Sequence, residues 1–143
     1  MKGFLNDVES LLSVIWYTAS MPLSPKFIRL LLKVHPDSRL RAFLEYLSLE
    51  KNRSPGTILA YGRDLSEFMR YLDRGKLTLQ ELNRKNLQGY IHHLRRDPGP
   101  GGRLRKVSST SRGLSALKVF LRYLRREEIL KEDLGIWVES PSK

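Results

Sequence analysis

The 143-residue chain has no cysteine. That excludes a disulfide framework, a thiolate nucleophile and any Cys-ligated zinc or iron–sulfur site. Histidine is scarce, at three residues. A metal site would therefore rest on carboxylates, and none cluster suitably, so no metal or cofactor is expected. No stretch reaches the roughly 18 to 20 apolar residues that span a bilayer. Phe4 to Met21 is apolar-rich, but it holds Asp7 and Glu9 and only Lys2 leads it. A secretory signal needs a basic start and an acid-free apolar core, so a cytoplasmic protein is expected. No segment alternates with period two, so no strand is required.

What is present is helical periodicity. Phe4, Leu5, Val8, Leu11, Leu12, Ile15, Trp16 and Ala19 recur at three- and four-residue intervals, forming one apolar stripe. Ser24-Pro25 opens a short second helix that stops near His35, because Pro36 disfavours helical geometry before it. Asp37 caps a third, with Leu40, Phe43, Leu44 and Leu47 inward, ending near Lys51-Asn52. Ser54-Pro55 starts a fourth that runs to about Asp73. Its inward residues are Ile58, Tyr61, Leu65, Phe68 and Leu72, and Gly75 is its stop. Thr78 and Glu81 fit a capping box over a short helical turn. Asn83 caps a helix to Arg96 with Leu87, Tyr90, Ile91 and Leu94 inward, despite Gly89 inside it. Asp97 to Gly102 is a glycine- and proline-rich loop expected to be mobile. Ser108 or Ser109 caps the next helix, to about Arg126, with Leu114, Leu117, Phe120, Leu121 and Leu124 as its stripe. A last turn or two lies between Lys131 and Val138. The expected fold is all-α, a small orthogonal bundle of five or six helices.

Acidic residues are missing where basic ones concentrate. Lys and Arg total 26 against 15 Asp and Glu, a net charge of +11. From Pro98 to Arg126 there are eight basic residues and no acidic one. Surfaces that serve only solubility mix the two signs. Lys106-Val-Ser-Ser-Thr-Ser-Arg112 joins cations, hydroxyls and a helix start, the groups that donate to phosphate oxygens. Arg103, Arg105, Lys106, Ser108, Ser109, Arg112 and Lys118 are the candidate contacts. Arg112 lies outside the apolar stripe, beside the small residues Ser109 and Gly113. A second helix start offers Arg53, Ser54 and Thr57, continuing to Tyr61 and Arg63. There the bland alternative is plain capping by Ser54, with Tyr61 in the core. Two such starts in one basic bundle point to two helices presented to one DNA duplex.

Phe43-Leu-Glu-Tyr-Leu47, Ser54-Pro55, Thr57, Tyr61, Asp64-Leu65 and Phe68 resemble the opening of the tyrosine recombinases of the Xer and phage-integrase type. Ser109, Arg112, Leu114-Ser-Ala-Leu117, Phe120 and Tyr123-Leu124 resemble that family's second signature helix. The likeness runs from about Arg41 to Lys143. It implies a SAM-like core-binding domain forming half of a C-shaped clamp on DNA, with two helices crossing near the major groove. It also places a DNA-contacting residue at Arg112. Gly113 stands where the family commonly has a polar or basic residue, and Asp133-Leu134 replaces the usual Asn-Pro. The glycine-rich loop is longer than typical, and Met1 to Pro36 has no counterpart.

The family's chemistry uses two Arg, a Lys, one or two His and a Tyr nucleophile in a second domain. This sequence ends where that domain would begin. His92 and His93 point about 100° apart on a helix and make no joint site. The chain is therefore expected to be non-catalytic. The expected plan is an N-terminal extension at 1–36, a core-binding domain at 37–138 and the start of a linker at 139–143. Expected partners are double-stranded DNA and neighbouring recombinase protomers, with no membrane and no small-molecule substrate. The location would be cytoplasmic, on the nucleoid. Two other readings stand beside this one. A stand-alone helical DNA-binding protein would be told apart by the reading frame beyond Lys143. A basic protein-interaction bundle, docking through its N-terminal helix, would be told apart by salt-dependent duplex binding.

Overall fold

The structure is a computed structural model, and it describes residues 33–96 and 106–138. Four α-helices and two 3-10 turns make up the described residues, and no strand occurs among them. The all-α expectation holds. The elements are α1 (Ser38–Leu49), α2 (Pro55–Arg74), the turn η1 (Leu79–Glu81), α3 (Arg84–Arg96), α4 (Val107–Arg126) and the turn η2 (Leu134–Trp137). The two helices expected before Pro36 and the loop at 97–105 lie outside the described residues. The chain divides into two compact units, one up to Met69 and one from Arg70.

In the first unit, Asp37 caps α1 as expected. Its Oδ1 accepts the amides of Arg39 (2.8 Å) and Leu40 (3.1 Å). Leu40, Phe43, Leu44 and Leu47 of α1 and Ile58, Leu65 and Phe68 of α2 are buried. The segment before α1 is clasped to this core. The His35 amide donates to Ser66 Oγ (2.8 Å), and Ser66 Oγ donates to the Gly62 carbonyl (2.5 Å). Val34 is buried, and Arg41 Nη2 donates to its carbonyl (2.5 Å). Arg41 itself is 4% exposed, a burial of charge that the α1 stripe did not announce. A Cβ on Gly62 would sit 2.8 Å from Val34 Cγ2, so a larger residue in α2 would force this segment to shift where the two cross.

In the second unit, the stripes of α3 and α4 are buried as expected: Leu87, Tyr90, Ile91 and Leu94, and Leu114, Leu117, Phe120, Leu121 and Leu124. Asn83 Oδ1 accepts the Asn86 amide (2.9 Å) and so caps α3. Thr78 donates its amide (3.0 Å) and its hydroxyl (2.9 Å) to Glu81 Oε1. The amide first, then the hydroxyl, holds the Glu81 carboxyl below its ordinary pKa, because both donors favour the anion. Gly89 lies where a Cβ would meet the Tyr71 hydroxyl at 3.0 Å. That close approach accounts for a glycine inside α3.

Helix ends depart from expectation in two places. Gly75 is not the left-handed residue that ends α2; Lys76 is, at φ 54°. The Leu77 amide reaches the Leu72 carbonyl (2.9 Å) and the Lys76 amide the Asp73 carbonyl (3.0 Å). This is a Schellman stop set one residue later than the glycine implied. The start of α4 also shifts. Lys106 is the N-cap residue, its carbonyl accepts the Thr110 amide (3.1 Å), and Ser108 and Ser109 lie inside the first turn rather than capping it. The backbone enters helical geometry as soon as the Lys106 carbonyl finds Thr110, before either serine.

Candidate nucleic-acid interface

The site residues in the first unit gather at the start of α2. Ser54 Oγ accepts the Thr57 amide (3.2 Å) and donates to Thr57 Oγ1 (3.0 Å), while Pro55 occupies the first helical position, where its missing N–H costs nothing. Arg53 and Ser54 are exposed and Thr57 is half-buried. One turn on, half-buried Tyr61 meets Phe43 edge to face, ring centroids 6.2 Å apart. Its ring thus belongs to the margin of the core. Arg63 is exposed, about 160° around the helix from Tyr61 at 100° per residue. The structure therefore brings Arg53, Ser54 and Thr57 together, and sets Tyr61 and Arg63 on different sides of α2.

In the second unit the candidates lie along α4. Lys106 supplies no side-chain oxygen to the helix start, so among the described residues the N-cap position leaves the first-turn amides without a side-chain cap. Lys106, Val107 and Ser108 are exposed, Ser109 is half-buried and Thr110 is buried. Arg112 is exposed. It shares an outward stripe with Ser108, Ser115, Val119 and Arg122, spaced by three and four residues, all exposed. Gly113 beside it faces Leu94, 3.9 Å from where a Cβ would be. Half-buried Lys118 sits off this stripe, and its carbonyl lies against Gly135. Arg103 and Arg105 are outside the described residues. Open amides at a helix start, exposed hydroxyls and a guanidinium one and a half turns along suit phosphate or a base edge.

Other chemistry finds little footing. His92 is exposed, while half-buried His93 packs against Tyr71 and Tyr90, with ring centroids 5.3 and 5.9 Å away. Among the described residues no group of three His, Asp or Glu side chains could hold a metal. No described helix is long and apolar enough to cross a membrane. One feature escaped the sequence reading: Arg84 lies over the Trp137 ring, 3.7 Å from its centroid. The helical spacing of Arg84, Gln88, Ile91 and Arg95 was legible, but a ring 53 positions after Arg84 was not.

Comparison with known proteins gives the lineage. The family model described as "Phage integrase, N-terminal SAM-like domain" matches residues 40–128. The chain is 35% identical over 103 residues to tyrosine recombinase XerC of Myxococcus xanthus, covering 71% of this chain and 32% of that protein. It is 33% identical over 107 residues to XerC of Anoxybacillus flavithermus, covering 73% and 33%. With tyrosine recombinase XerD of Oceanobacillus iheyensis it shares 29% over 103 residues, covering 71% and 33%. The chain thus spans about a third of the length of the curated relatives it matches. No solved structure matches it. Helices, spacing and sequence agree: the chain belongs to the phage-integrase N-terminal SAM-like domain family.

Proposed function

We propose that this chain is the core-binding domain of a site-specific tyrosine recombinase, and that it grips duplex DNA while a catalytic domain outside these residues exchanges strands. The observation that carries the reading is the start of α4. There an exposed lysine, open backbone amides and the exposed Ser108 and Arg112 lie in the segment that matches the family. In this reading the α4 residues Lys106, Ser108, Ser109 and Arg112 contact the duplex, with Lys118 and the loop residues Arg103 and Arg105 adding charge. The α2 start, Arg53 to Thr57, with Tyr61 and Arg63, supplies a second set. Residues 37–138 make up the DNA-binding part, 1–36 an extension and 139–143 a linker. Neighbouring protomers on the same DNA and a place on the nucleoid follow from the same reading.

Salt-dependent binding tests it. Each phosphate contact adds about −0.9 to the log–log salt slope, so five contacts lower duplex affinity roughly 500-fold between 50 and 200 mM salt. Affinity that stays flat over that range refutes the interface.

A further inference from the structure

Val107 is the first residue of α4 and is 72% exposed, the highest value of any large apolar side chain among the described residues. Neither burial nor helix propensity accounts for a valine there. It adds nothing to the core, and a β-branched side chain is a weaker helix former than alanine or lysine. A single exposed valine is common enough on an ordinary surface. What sets this one apart is its place. Lys106 and Ser108, both exposed, stand on either side of it. From Val107 to Arg126 the helix carries Arg112, Lys118, Arg122, Arg125 and Arg126 and no acidic residue. An apolar side chain thus projects from a basic helix, between two groups suited to a polyanion.

We propose that Val107 is a specificity-determining residue of the DNA contact, and that it reads thymine through the C5-methyl group in the major groove. The inference rests on the proposed core-binding role, in which Lys106 and Ser108 both touch the duplex. A side chain held between two such contacts reaches the DNA with them. Lysine and serine can donate to phosphate oxygens, which position a protein without reading sequence. Valine has no donor. Pressed against phosphates, it would strip water from charged oxygens and return no hydrogen bond. The base edges offer it one apolar partner. In the major groove guanine shows acceptors, cytosine an amino donor and adenine one of each, while thymine adds a methyl group that aliphatic side chains meet by contact. An A·T pair is therefore the pair that Val107 favours, and the polar residues beside it supply the grip that carries it there.

Replacing thymine by uracil removes that methyl and leaves the hydrogen-bonding edges unchanged. The test measures binding of the full chain to a short duplex of alternating adenine and thymine and to its adenine–uracil counterpart, by fluorescence anisotropy at 50 and 200 mM salt. The alternating sequence presents a methyl at every base pair, so no binding register has to be known. The parent should bind the thymine duplex roughly fourfold tighter, the preference that burying one methyl group supplies. Val107→Ala should lose most of that preference, and the four affinities form a cycle that isolates the contact. Its melting temperature should hold, since alanine is the better helix former. The proposal falls if the parent binds both duplexes alike, or if Val107→Ala keeps the full preference. It falls equally if Val107→Ala melts several degrees lower, because the side chain would then be packed against the chain itself. Steep salt dependence without a methyl preference refutes the reading by Val107 alone and leaves the DNA grip standing. Binding to neither duplex, or binding that ignores salt, refutes both.

Discussion

Arg112→Ala separates a DNA-gripping guanidinium from a structural one. The residue is exposed, on the outward stripe of α4, and surface substitutions usually change stability by under about 0.5 kcal/mol. The melting temperature should therefore hold, while duplex binding weakens by about 1 to 3 kcal/mol in a filter or anisotropy assay. Normal binding with a melting point several degrees lower would make Arg112 structural. Gly62 poses the opposite kind of question. Alanine in mid-helix is favoured over glycine by about 1 kcal/mol. Here, however, the new methyl would meet Val34 Cγ2 at 2.8 Å and Leu44 Cδ1 at 3.5 Å. Val34 is β-branched and stiff at χ1, and overpacking typically costs about 1 to 3 kcal/mol. Gly62→Ala should be neutral to destabilising by up to about 2 kcal/mol in chemical denaturation. A gain in stability would mean that Val34 gives way freely. Arg112 could be chosen from periodicity alone, because a residue's place on a helix face depends on local spacing. The crowding at Gly62 could not, because it arises from a segment 28 positions earlier.

At the scale of elements, the helix stops are where local rules were least sufficient. The end of α4 is a Schellman arrangement: the Ile129 amide reaches the Leu124 carbonyl (2.9 Å) and the Glu128 amide the Arg125 carbonyl (3.1 Å). The left-handed position falls on Glu128, at φ 62°. A side chain there costs about 1 to 2 kcal/mol, and a carboxylate at a helix C-terminus faces the negative end of the dipole. Glu128→Gly should therefore stabilise the chain by about 1 kcal/mol after glycine's own entropy is subtracted. A rise of several degrees in a thermal melt is expected; a fall would refute the strain. The caps at Asp37, Ser54 and Asn83 followed from sequence because a cap is made within four residues. The helix ends near Asp73 and at Arg126 followed too, but the left-handed positions at Lys76 and Glu128 did not, because neither residue type advertises a positive φ.

For the molecule as a whole, the proposed division of labour implies that this chain binds DNA without breaking it. A nicked suicide substrate should trap no covalent protein–DNA adduct on a denaturing gel. The described tyrosines support this. Tyr90 and Tyr123 are buried, and Tyr46, Tyr61 and Tyr71 are half-buried against other rings. A nucleophile needs an open hydroxyl with a base in reach. An adduct through any tyrosine would overturn the non-catalytic reading.

The sequence by itself determined the helical class, the buried stripes, three of the caps, the basic run around α4 and the likeness to the integrase family. Each of these is written in spacings of a few residues, or in charge that no packing can remove. Only the tertiary structure decided that Arg41 is buried beside the Val34 carbonyl, that Tyr71 passes over Gly89, and that Arg84 covers Trp137. These pairings join residues whose separation along the chain says nothing of their distance in space. They exist because burying the helix stripes brings particular neighbours within contact, and that choice is made by packing.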